Sequence, residues 1–451
     1  MNAARTVSPS TESARVTDTR TSTLPPPQTP PGPPPTRTET LAEAAQRVGL
    51  ELPSPIHRRW SVPLVVVATI VLATIAVTSV LPAEWVASKE NTRLGVEQGT
   101  PFARTPASAQ PVDERIVFGD LGEAAEQFPP VGDLYFVTVT EPSQSILSWF
   151  VGRDEPAVQF LTSEEKFGVQ TPPQRRRFAL EQMRTSEQTA QYIALQRVGF
   201  DVGLAEGDVL IQDMVCLAAN DDATDCVDWS PSDDVLDPGD RILEVEGEPI
   251  EGVEDLTRVL EGRKPGDRVS MRIDRPGAGE LDVEVELTAS PDDPDRTIVG
   301  FFPFDTRRVE LPFELDIDTG SIGGPSAGLA FTLTLIDELT EGELTGGGDI
   351  AVTGTIELDG SVGPIGGLRQ KASAVAQTGV DVFLVPGISD KADEEQIAAY
   401  EADLDAAQRA GGDDLQIIPV RTLEEALDAL ESLGGDPIPP APEPPAGTDG
   451  G

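Results

Sequence analysis

Ser326 has the residue type and the surroundings of a nucleophile. It lies in the segment GGPSAG, directly before an apolar run with helical spacing, and we expect the helix to begin at Ser326 with Pro325 in its first turn. A side chain there meets free backbone N–H groups and the positive end of the helix dipole, which together stabilise an oxyanion. Gly323 and Gly324 would let a substrate backbone approach. Serine is also a common helix cap, so this segment by itself leaves both roles open.

Lys371 lies 45 residues after Ser326 and could act as its general base. The pattern predicts a helix from about Leu368, with Lys371 on its apolar side and Gln370 pointing away. Burial disfavours the charged form of lysine and lowers its pKa, which can make the amine a base near neutral pH. The alternative is a structural lysine whose stem covers apolar surface.

Lysine is rare in this chain, which otherwise uses arginine. Only five of its 33 basic residues are lysines, and Lys371 is the one predicted to lie on a buried face. Arginine cannot be deprotonated in a protein, so a position that needs a base must keep lysine. This preference favours a catalytic role for Lys371.

A long apolar run lies near the N-terminus. Val62 to Leu81 supplies 20 residues without a charge, enough at ~1.5 Å per residue to cross ~30 Å of hydrocarbon. We therefore expect a single transmembrane helix over residues 62–82, after a disordered, Pro-rich segment at residues 1–57. Arg58 and Arg59 precede the run, which predicts a cytoplasmic N-terminus and an extracytoplasmic remainder. A cleaved signal peptide is the alternative.

This topology limits the chemistry available outside the cell. The only histidine, His57, would be cytoplasmic, which excludes Ser-His-Asp and Cys-His mechanisms and histidine-rich zinc sites from the exported part. We expect no metal and no cofactor. Cys216 and Cys226 would either form a disulfide or remain as two buried thiols.

The net charge of the chain excludes one class of binding partner. The formal net charge is −45, and such a polyanion repels phosphate instead of releasing counterions from it. A nonspecific nucleic-acid binder is therefore excluded.

The middle of the chain divides into two parts. Residues 98–205 contain strand-like and helix-like segments to which the sequence assigns no function. Residues 206–289 alternate strands with Pro-Gly-Asp turns and one amphipathic helix. The segment PGDRILEVEGEPI resembles a bacterial PDZ domain. This resemblance implies that an extended peptide can bind at a sheet edge, and a purely structural PDZ-like domain is the alternative.

The C-terminal part carries two further motifs. GGPSAG, followed by TGTIELDGSVGPIGGLRQK, resembles the proteolytic domain of the Lon serine proteases over residues 310–435. The resemblance implies that Ser326 is the nucleophile and Lys371 its base. It also implies that Thr353 helps to hold the lysine, while the backbone around Gly324 and Ala327 supports substrate and oxyanion. Residues 436–451 are expected to form a disordered tail.

The chain also departs from the Lon pattern. No Gly-Lys dipeptide occurs, which predicts that a Walker A loop is absent, and Gly323 stands where many Lon enzymes have an acidic residue. One anchor helix, a PDZ-like domain and a Lon-type domain together resemble the Lon-like PDZ-containing membrane proteases of Gram-positive bacteria.

The resemblance implies a multi-domain chain of α/β and α+β class. It implies a membrane-anchored serine endopeptidase without its own ATPase module, which acts on extracytoplasmic proteins or peptides and assembles as a homo-oligomer. The rivals are a tail-processing protease of the other PDZ-plus-Ser/Lys type and a noncatalytic membrane-tethered PDZ adaptor.

Overall fold

The computed structural model describes residues 55–91, 96–122, 125–167, 170–219, 226–291 and 293–439. The helices are α1 (Pro55–Thr78), α2 (Ile146–Gly152), α3 (Ser163–Phe167), α4 (Pro172–Arg197), α5 (Val253–Leu260), α6 (Gly328–Leu339), α7 (Leu368–Thr378), α8 (Glu394–Gly411) and α9 (Leu423–Ser432). The first strands are β1 (Ser88–Asn91), β2 (Val96–Gly99), β3 (Phe102–Pro111), β4 (Ile116–Phe118), β5 (Leu134–Thr140), β6 (Gln159–Leu161), β7 (Gly203–Met214), β8 (Cys216–Ala219), β9 (Cys226–Trp229), β10 (Arg241–Val245) and β11 (Glu248–Pro249). They are followed by β12 (Arg268–Arg275), β13 (Gly279–Glu286), β14 (Thr288–Ala289), β15 (Thr297–Ile298), β16 (Phe301–Glu310), β17 (Leu315–Ile317), β18 (Ile350–Val352), β19 (Thr355–Ile356), β20 (Val362–Gly363), β21 (Val382–Pro386) and β22 (Gln416–Val420).

The predictions for the two ends of the chain fall mostly outside these residues. Residues 1–54 of the expected Pro-rich segment and residues 440–451 of the expected tail are not described. The tail was predicted to start too early, because Ile438 packs against the main core and the carbonyl of Pro439 accepts a hydrogen bond from Arg197.

Helix α1 contains most of the apolar run. Its side chains are exposed from Val62 to Val77, and the Thr69 hydroxyl donates to the carbonyl of Val65 within the helix at 2.8 Å. The helix ends at Thr78 and so does not extend to residue 82 as expected. Among the described residues, no helix combines the length and the apolar character needed to cross a membrane.

The main sheet joins two parts of the chain that were predicted to be separate. Its strand order is β22-β21-β18-β5-β3-β6, in which the four strands from β22 to β5 run parallel. Ile350 of β18 lies opposite Leu134 of β5. Residues 98–205, to which the sequence assigned no role, therefore supply strands that complete the sheet of the C-terminal part.

Helices cover both faces of this sheet. All twelve residues of α6 are buried, and the ring of Phe331 packs with its centroid 6.0 Å from that of Phe136 of β5 on one face. On the other face, Val375 of α7 packs in a cluster with Val137 and Phe383. Neighbouring strand residues such as Phe136 and Val137 thus face opposite layers, as the two-residue period of a strand requires. The result is a three-layer α/β domain.

The PDZ-like part forms a second sheet with its own core. Its antiparallel order is β13-β12-β10-β7-β16, and the predicted bounds of 206–289 were too narrow because β16 completes it. Gly203, at the start of β7, pairs with Glu310, at the end of β16. The two ends of this segment therefore lie next to each other. In the chain, the segment stands between α4 and β17, so it is an insertion into the main domain.

The two cysteines form a disulfide. Cys216 and Cys226 join β8 to β9 with their Cα atoms 5.6 Å apart. Of the two alternatives drawn from the sequence, the buried free thiols are wrong.

Candidate active site

Ser326 lies in the loop between β17 and α6. The helix begins at Gly328, its N-cap position is Ala327, and no side chain caps it. The expectation that Ser326 and Pro325 start the helix is therefore wrong, and so is the helix-cap role for Ser326. The Ser326 side chain is half-buried, and its Oγ lies 2.7 Å from Nζ of Lys371.

The end of β18 fixes this loop from one side. The Thr353 hydroxyl donates to the carbonyl of Ser326 at 3.0 Å, and the N–H of Gly354 donates to the same oxygen at 2.9 Å. The N–H of Leu329 in turn donates to the carbonyl of Gly354 at 3.1 Å. These bonds hold the Ser326 backbone while its side chain stays free of the helix.

Helix α4 fixes the loop from the other side. The N–H of Gly324 donates to the carbonyl of Ala179 at 2.7 Å, and the Ser186 hydroxyl donates to the carbonyl of Pro325 at 3.0 Å. A Cβ at position 323 would lie only 2.9 Å from Cβ of Ala179. Gly323 therefore permits close packing against Ala179 of α4, while the residue itself stays exposed.

Gly324 and Ala327 flank Ser326 in this loop; Gly324 is half-buried and Ala327 is 4% exposed. Gly324 has a φ of +93°, which favours glycine, and a Cβ built there would meet nothing within 4 Å. Among the described residues, the backbone N–H groups of Ser326 and Ala327 have no hydrogen-bond acceptor. Two backbone donors without an acceptor, one of them in the serine itself, are the groups that an oxyanion hole would use.

Helix α7 presents Lys371 from the opposite layer. The helix follows Gly367, whose φ of +74° turns the chain, and the N–H of Lys371 donates to the Gly367 carbonyl at 3.0 Å. The Lys371 side chain is 2% exposed, so its amine does not reach solvent as a snorkelling lysine would. Nζ also donates to the Thr353 hydroxyl at 2.8 Å.

The surroundings of Lys371 disfavour its charged form. Burial lowers the pKa of the amine to about 7, with a smaller contribution from the positive charge of Arg104. In the part of the chain that the structure describes, no carboxylate forms an ion pair with this lysine. A substantial fraction of the amine is therefore neutral near pH 7.

Sequence reasoning missed two side chains beside this pair. Arg104 of β3 forms an ion pair with Glu141 at 2.8 Å, and its Cδ lies 3.0 Å from where a Cβ of Gly367 would be. Gln370, expected to point away, is fully buried, and both atoms of its amide lack a hydrogen-bond partner. Arg104 gave no signal in the sequence because it lies in the region to which no role was assigned.

A cavity of about 810 Å³ opens next to the pair rather than at it. Its lining includes Ile365 and Leu368 from the start of α7 and Arg421 after β22. Neither Ser326 nor Lys371 lines this cavity. The candidate catalytic pair, which is joined by a hydrogen bond, therefore lies outside it.

The arrangement suits acyl transfer. It offers a hydroxyl, a buried amine that is partly neutral, and two free backbone donors. In the described residues, no group of three or more His, Cys, Asp or Glu side chains is placed to hold a metal.

Comparison with known families agrees with this geometry. Residues 315–431 match the Lon protease (S16) C-terminal proteolytic domain. Residues 197–287 match the PDZ domain. The resemblance to both families is therefore confirmed, although the Lon match starts after the strands of residues 102–161 that complete its sheet.

Curated relatives match about a quarter of this chain. The Lon protease of Xanthomonas oryzae pv. oryzae is 38% identical over 109 residues, which are 24% of this chain and 11% of that protein. The Lon protease of Trichlorobacter lovleyi is 36% identical over 117 residues, which are 26% of this chain and 12% of that protein. The matched segment thus spans only about a tenth of these relatives.

Solved structures of PDZ domains match about a fifth of this chain. The PDZ domain of the SdrC-like protein from Listeria monocytogenes shares 22% identity and covers 21% of this chain and 85% of that chain, with a TM-score of 0.16. The PDZ domain of the SdrC-like protein from Listeria innocua shares 20% identity and covers 20% of this chain and 92% of that chain, with a TM-score of 0.15.

Proposed function

We propose that the chain is a serine endopeptidase that cleaves proteins or peptides with Ser326 as nucleophile and Lys371 as general base. The observation that carries the proposal is the 2.7 Å contact between the Ser326 hydroxyl and a fully buried lysine amine whose pKa is about 7. The match of residues 315–431 to a proteolytic domain supports it independently.

The reaction begins with proton transfer to Lys371. Its neutral amine takes the proton of the Ser326 hydroxyl as Oγ attacks the carbonyl carbon of the scissile peptide bond. The N–H groups of Ser326 and Ala327 donate hydrogen bonds to the oxyanion. The resulting ammonium gives its proton to the departing amine, which leaves an acyl-enzyme on Oγ.

Water then releases the acyl group. Lys371, neutral again, takes a proton from water as the water oxygen attacks the ester carbon, and returns the proton to Oγ as the acid leaves. Thr353 holds Nζ within reach of Oγ in both halves of the reaction, because its hydroxyl accepts from Nζ and donates to the Ser326 carbonyl.

A covalent probe separates the protease from a noncatalytic adaptor. A serine-directed fluorophosphonate should add its mass to the peptide that contains Ser326, and Ser326→Ala should abolish labelling. Ser373→Ala, which changes a hydroxyl on α7 outside the pair, is the control and should label like the parent. Failure of the folded parent to label or to cleave a peptide library would favour the adaptor.

The PDZ segment would select the substrate. Its fold supports capture of an extended peptide at a sheet edge, and its insertion directly before the Ser326 loop would bring the captured chain close to the nucleophile. Assembly as a homo-oligomer belongs to the same proposal and can be measured by light scattering.

We also propose that the chain is anchored in the cell membrane by its apolar run, with the catalytic domain outside. The uncharged residues Val62 to Leu81 and the preceding Arg58 and Arg59 support this topology. A reporter fused after Gly451 should be active only outside the cell. Reporter activity in the cytoplasm would contradict the proposed orientation.

Cleavage should not require ATP bound by this chain. No Gly-Lys dipeptide is present to form a Walker A loop. The purified chain should therefore cleave an unfolded protein in nucleotide-free buffer at the same rate as with ATP. A strict requirement for ATP would contradict this part of the proposal.

A further inference from the structure

Helix α2 is a short apolar helix that buries none of its side chains. Its sequence is ILSWFVG, and each of its residues remains at least partly exposed. Phe150 is 54% exposed and Val151 is 66% exposed. The helix is nevertheless well defined, because Ser145 and Ser148 form a capping box at its N-terminus. An apolar helix of this kind normally packs against a partner.

The helix is attached to the end of the apolar run. The N–H of Ile146 donates to the carbonyl of Leu81 at 2.9 Å, and the N–H of Ala83 donates to the carbonyl of Gln144 at 2.9 Å. Leu81 is the last residue of the uncharged run. The backbone therefore fixes α2 directly beside the point where this run ends.

Two more exposed apolar residues lie in the segment that directly follows Leu81. Trp85 is 66% exposed and Val86 is 53% exposed, in and after the short 3₁₀ turn Ala83–Trp85 that contacts α2. We refer to Trp85, Val86, Phe150 and Val151 as the apolar shelf. Exposed apolar residues that cluster in this way mark an interaction surface.

The side chains of the shelf have the chemistry of a membrane interface. Tryptophan is enriched at the boundary between headgroups and acyl chains, and interfacial helices bury tryptophan and phenylalanine there. The Arg153 guanidinium lies 4.2 Å from the centroid of the Phe150 ring and 3.4 Å from the exposed carboxylate of Asp154. The edge of the shelf therefore carries an ion pair, which can stay in the hydrated headgroup layer while the neighbouring rings enter it. A purely apolar protein partner would instead have to desolvate this ion pair.

We propose that the apolar shelf docks into the headgroup region of the membrane that anchors the apolar run. The proposal rests on the anchoring proposed above. Because backbone hydrogen bonds tie α2 to Leu81, docking fixes the orientation of the catalytic domain on the bilayer.

Site-directed spin labelling tests the shelf in the full chain. The only two cysteines are joined in a disulfide, so a cysteine introduced at Phe150 or Val151 is the single site for a nitroxide label. The labelled protein is reconstituted in phosphatidylcholine–phosphatidylglycerol vesicles, and its collision rates with oxygen and with a water-soluble nickel chelate are compared. Val131→Cys is the matched control, because Val131 is 80% exposed and lies outside the shelf.

Labels at positions 150 and 151 should collide several-fold more with oxygen, and less with the nickel chelate, than the label at 131. Equal accessibility at all three positions in protein that floats with the vesicles would overturn the shelf and leave the anchoring intact. Protein that does not float would overturn both. Spin–spin broadening between copies at position 150, with no change on adding vesicles, would assign the shelf to a second copy of the chain and contradict the proposal.

Discussion

Lys371 combines three features that a catalytic amine needs. It is buried, it has no carboxylate partner among the described residues, and both of its hydrogen bonds go to hydroxyl groups. A carboxylate would stabilise the ammonium and keep the proton on it. Arg104 has the opposite effect, because its charge lowers the pKa of Lys371 further.

The pH dependence of cleavage should reflect the lowered pKa of Lys371. The protonated amine cannot accept the serine proton, so kcat/KM should rise with pH, with a midpoint near the Lys371 pKa of about 7. Arg104→Gln removes a nearby positive charge and should move the midpoint to higher pH. Arg272→Gln, on the exposed face of the inserted segment, is the control and should leave it unchanged. An unshifted midpoint in Arg104→Gln would show that Arg104 does not tune the lysine.

The positioning role of Thr353 can be tested with one variant that removes its hydroxyl but keeps its shape and one that keeps the hydroxyl. Thr353→Val removes the partner of Lys371 and of the Ser326 carbonyl, and a buried donor left without its partner costs ~1–3 kcal/mol. We expect kcat to fall by about tenfold or more. Thr353→Ser keeps the hydroxyl and should retain most of the activity. Equal kcat values for the two folded variants would contradict the positioning role.

Helix α4 connects the nucleophile loop to the inserted segment. Toward the loop, Ser186 donates to Pro325. Toward the insertion, Phe178 meets the ring of Phe304 at 5.1 Å, and the side chain of Gln188 accepts from the N–H of Val309. Strand β16 and the Ser326 loop therefore contact the same helix.

Removing two different hydroxyls on α4 distinguishes positioning of the Ser326 loop from a general effect on the stability of the helix. Ser186→Ala removes the bond to the Pro325 carbonyl, worth ~1 kcal/mol, and should lower kcat several-fold with little change in KM for a short peptide. Thr189→Ala is the control, because its equally buried hydroxyl bonds only within the helix, to Thr185. Equal kcat values for both variants would mean that α4 does not position the loop.

Short sequence motifs predicted the residues of the candidate site, but they did not predict all the strands of the domain that contains it. Ser326, Lys371 and Thr353 were identified from short motifs, and the structure brings all three together. The strand pairing of Leu134 with Ile350 has no local signal, because parallel partners share no turn and here lie on opposite sides of the PDZ insertion. That is why residues 98–205 remained unassigned.

The start of α6 was predicted two residues too early for a related reason. The pattern of Pro325 and Ser326 fits a first helical turn, but long-range hydrogen bonds from Thr353 and Gly354 take the Ser326 carbonyl away from the helix. The buried position of Gln370 was missed because its helix packs on both sides, against the sheet and against α8.

At the scale of the molecule, the PDZ segment is an insertion whose ends meet. Replacing residues 204–309 with a short glycine linker should leave a folded domain, because Gly203 and Glu310 are neighbouring strand partners. Loss of the contacts to α4 should lower the melting temperature. We expect cleavage of short peptides to persist and cleavage of unfolded proteins to fall, as measured by kcat/KM for both substrates. Unchanged cleavage of protein substrates would contradict a selecting role for the PDZ segment.

A fragment of residues 310–451 should behave differently. It contains the residues matched to the Lon domain but lacks β5, β3 and helix α4, which cover or extend the sheet around β18. We expect it to give no cooperative thermal transition by circular dichroism and no probe labelling at Ser326. A stably folded, labelled fragment would mean that the N-terminal strands are dispensable.

The most direct test of the account is the kcat/KM of Lys371→Arg. Arginine keeps the positive charge but cannot give up its proton, so the variant should lose the ~10²–10⁴-fold contribution of the general base. Melting temperatures must be compared, since overpacking a buried site costs ~1–3 kcal/mol. Lys391→Arg, at an exposed position, is the control and should cleave like the parent. A folded Lys371→Arg protein with close to parental kcat/KM would contradict the Ser326–Lys371 mechanism.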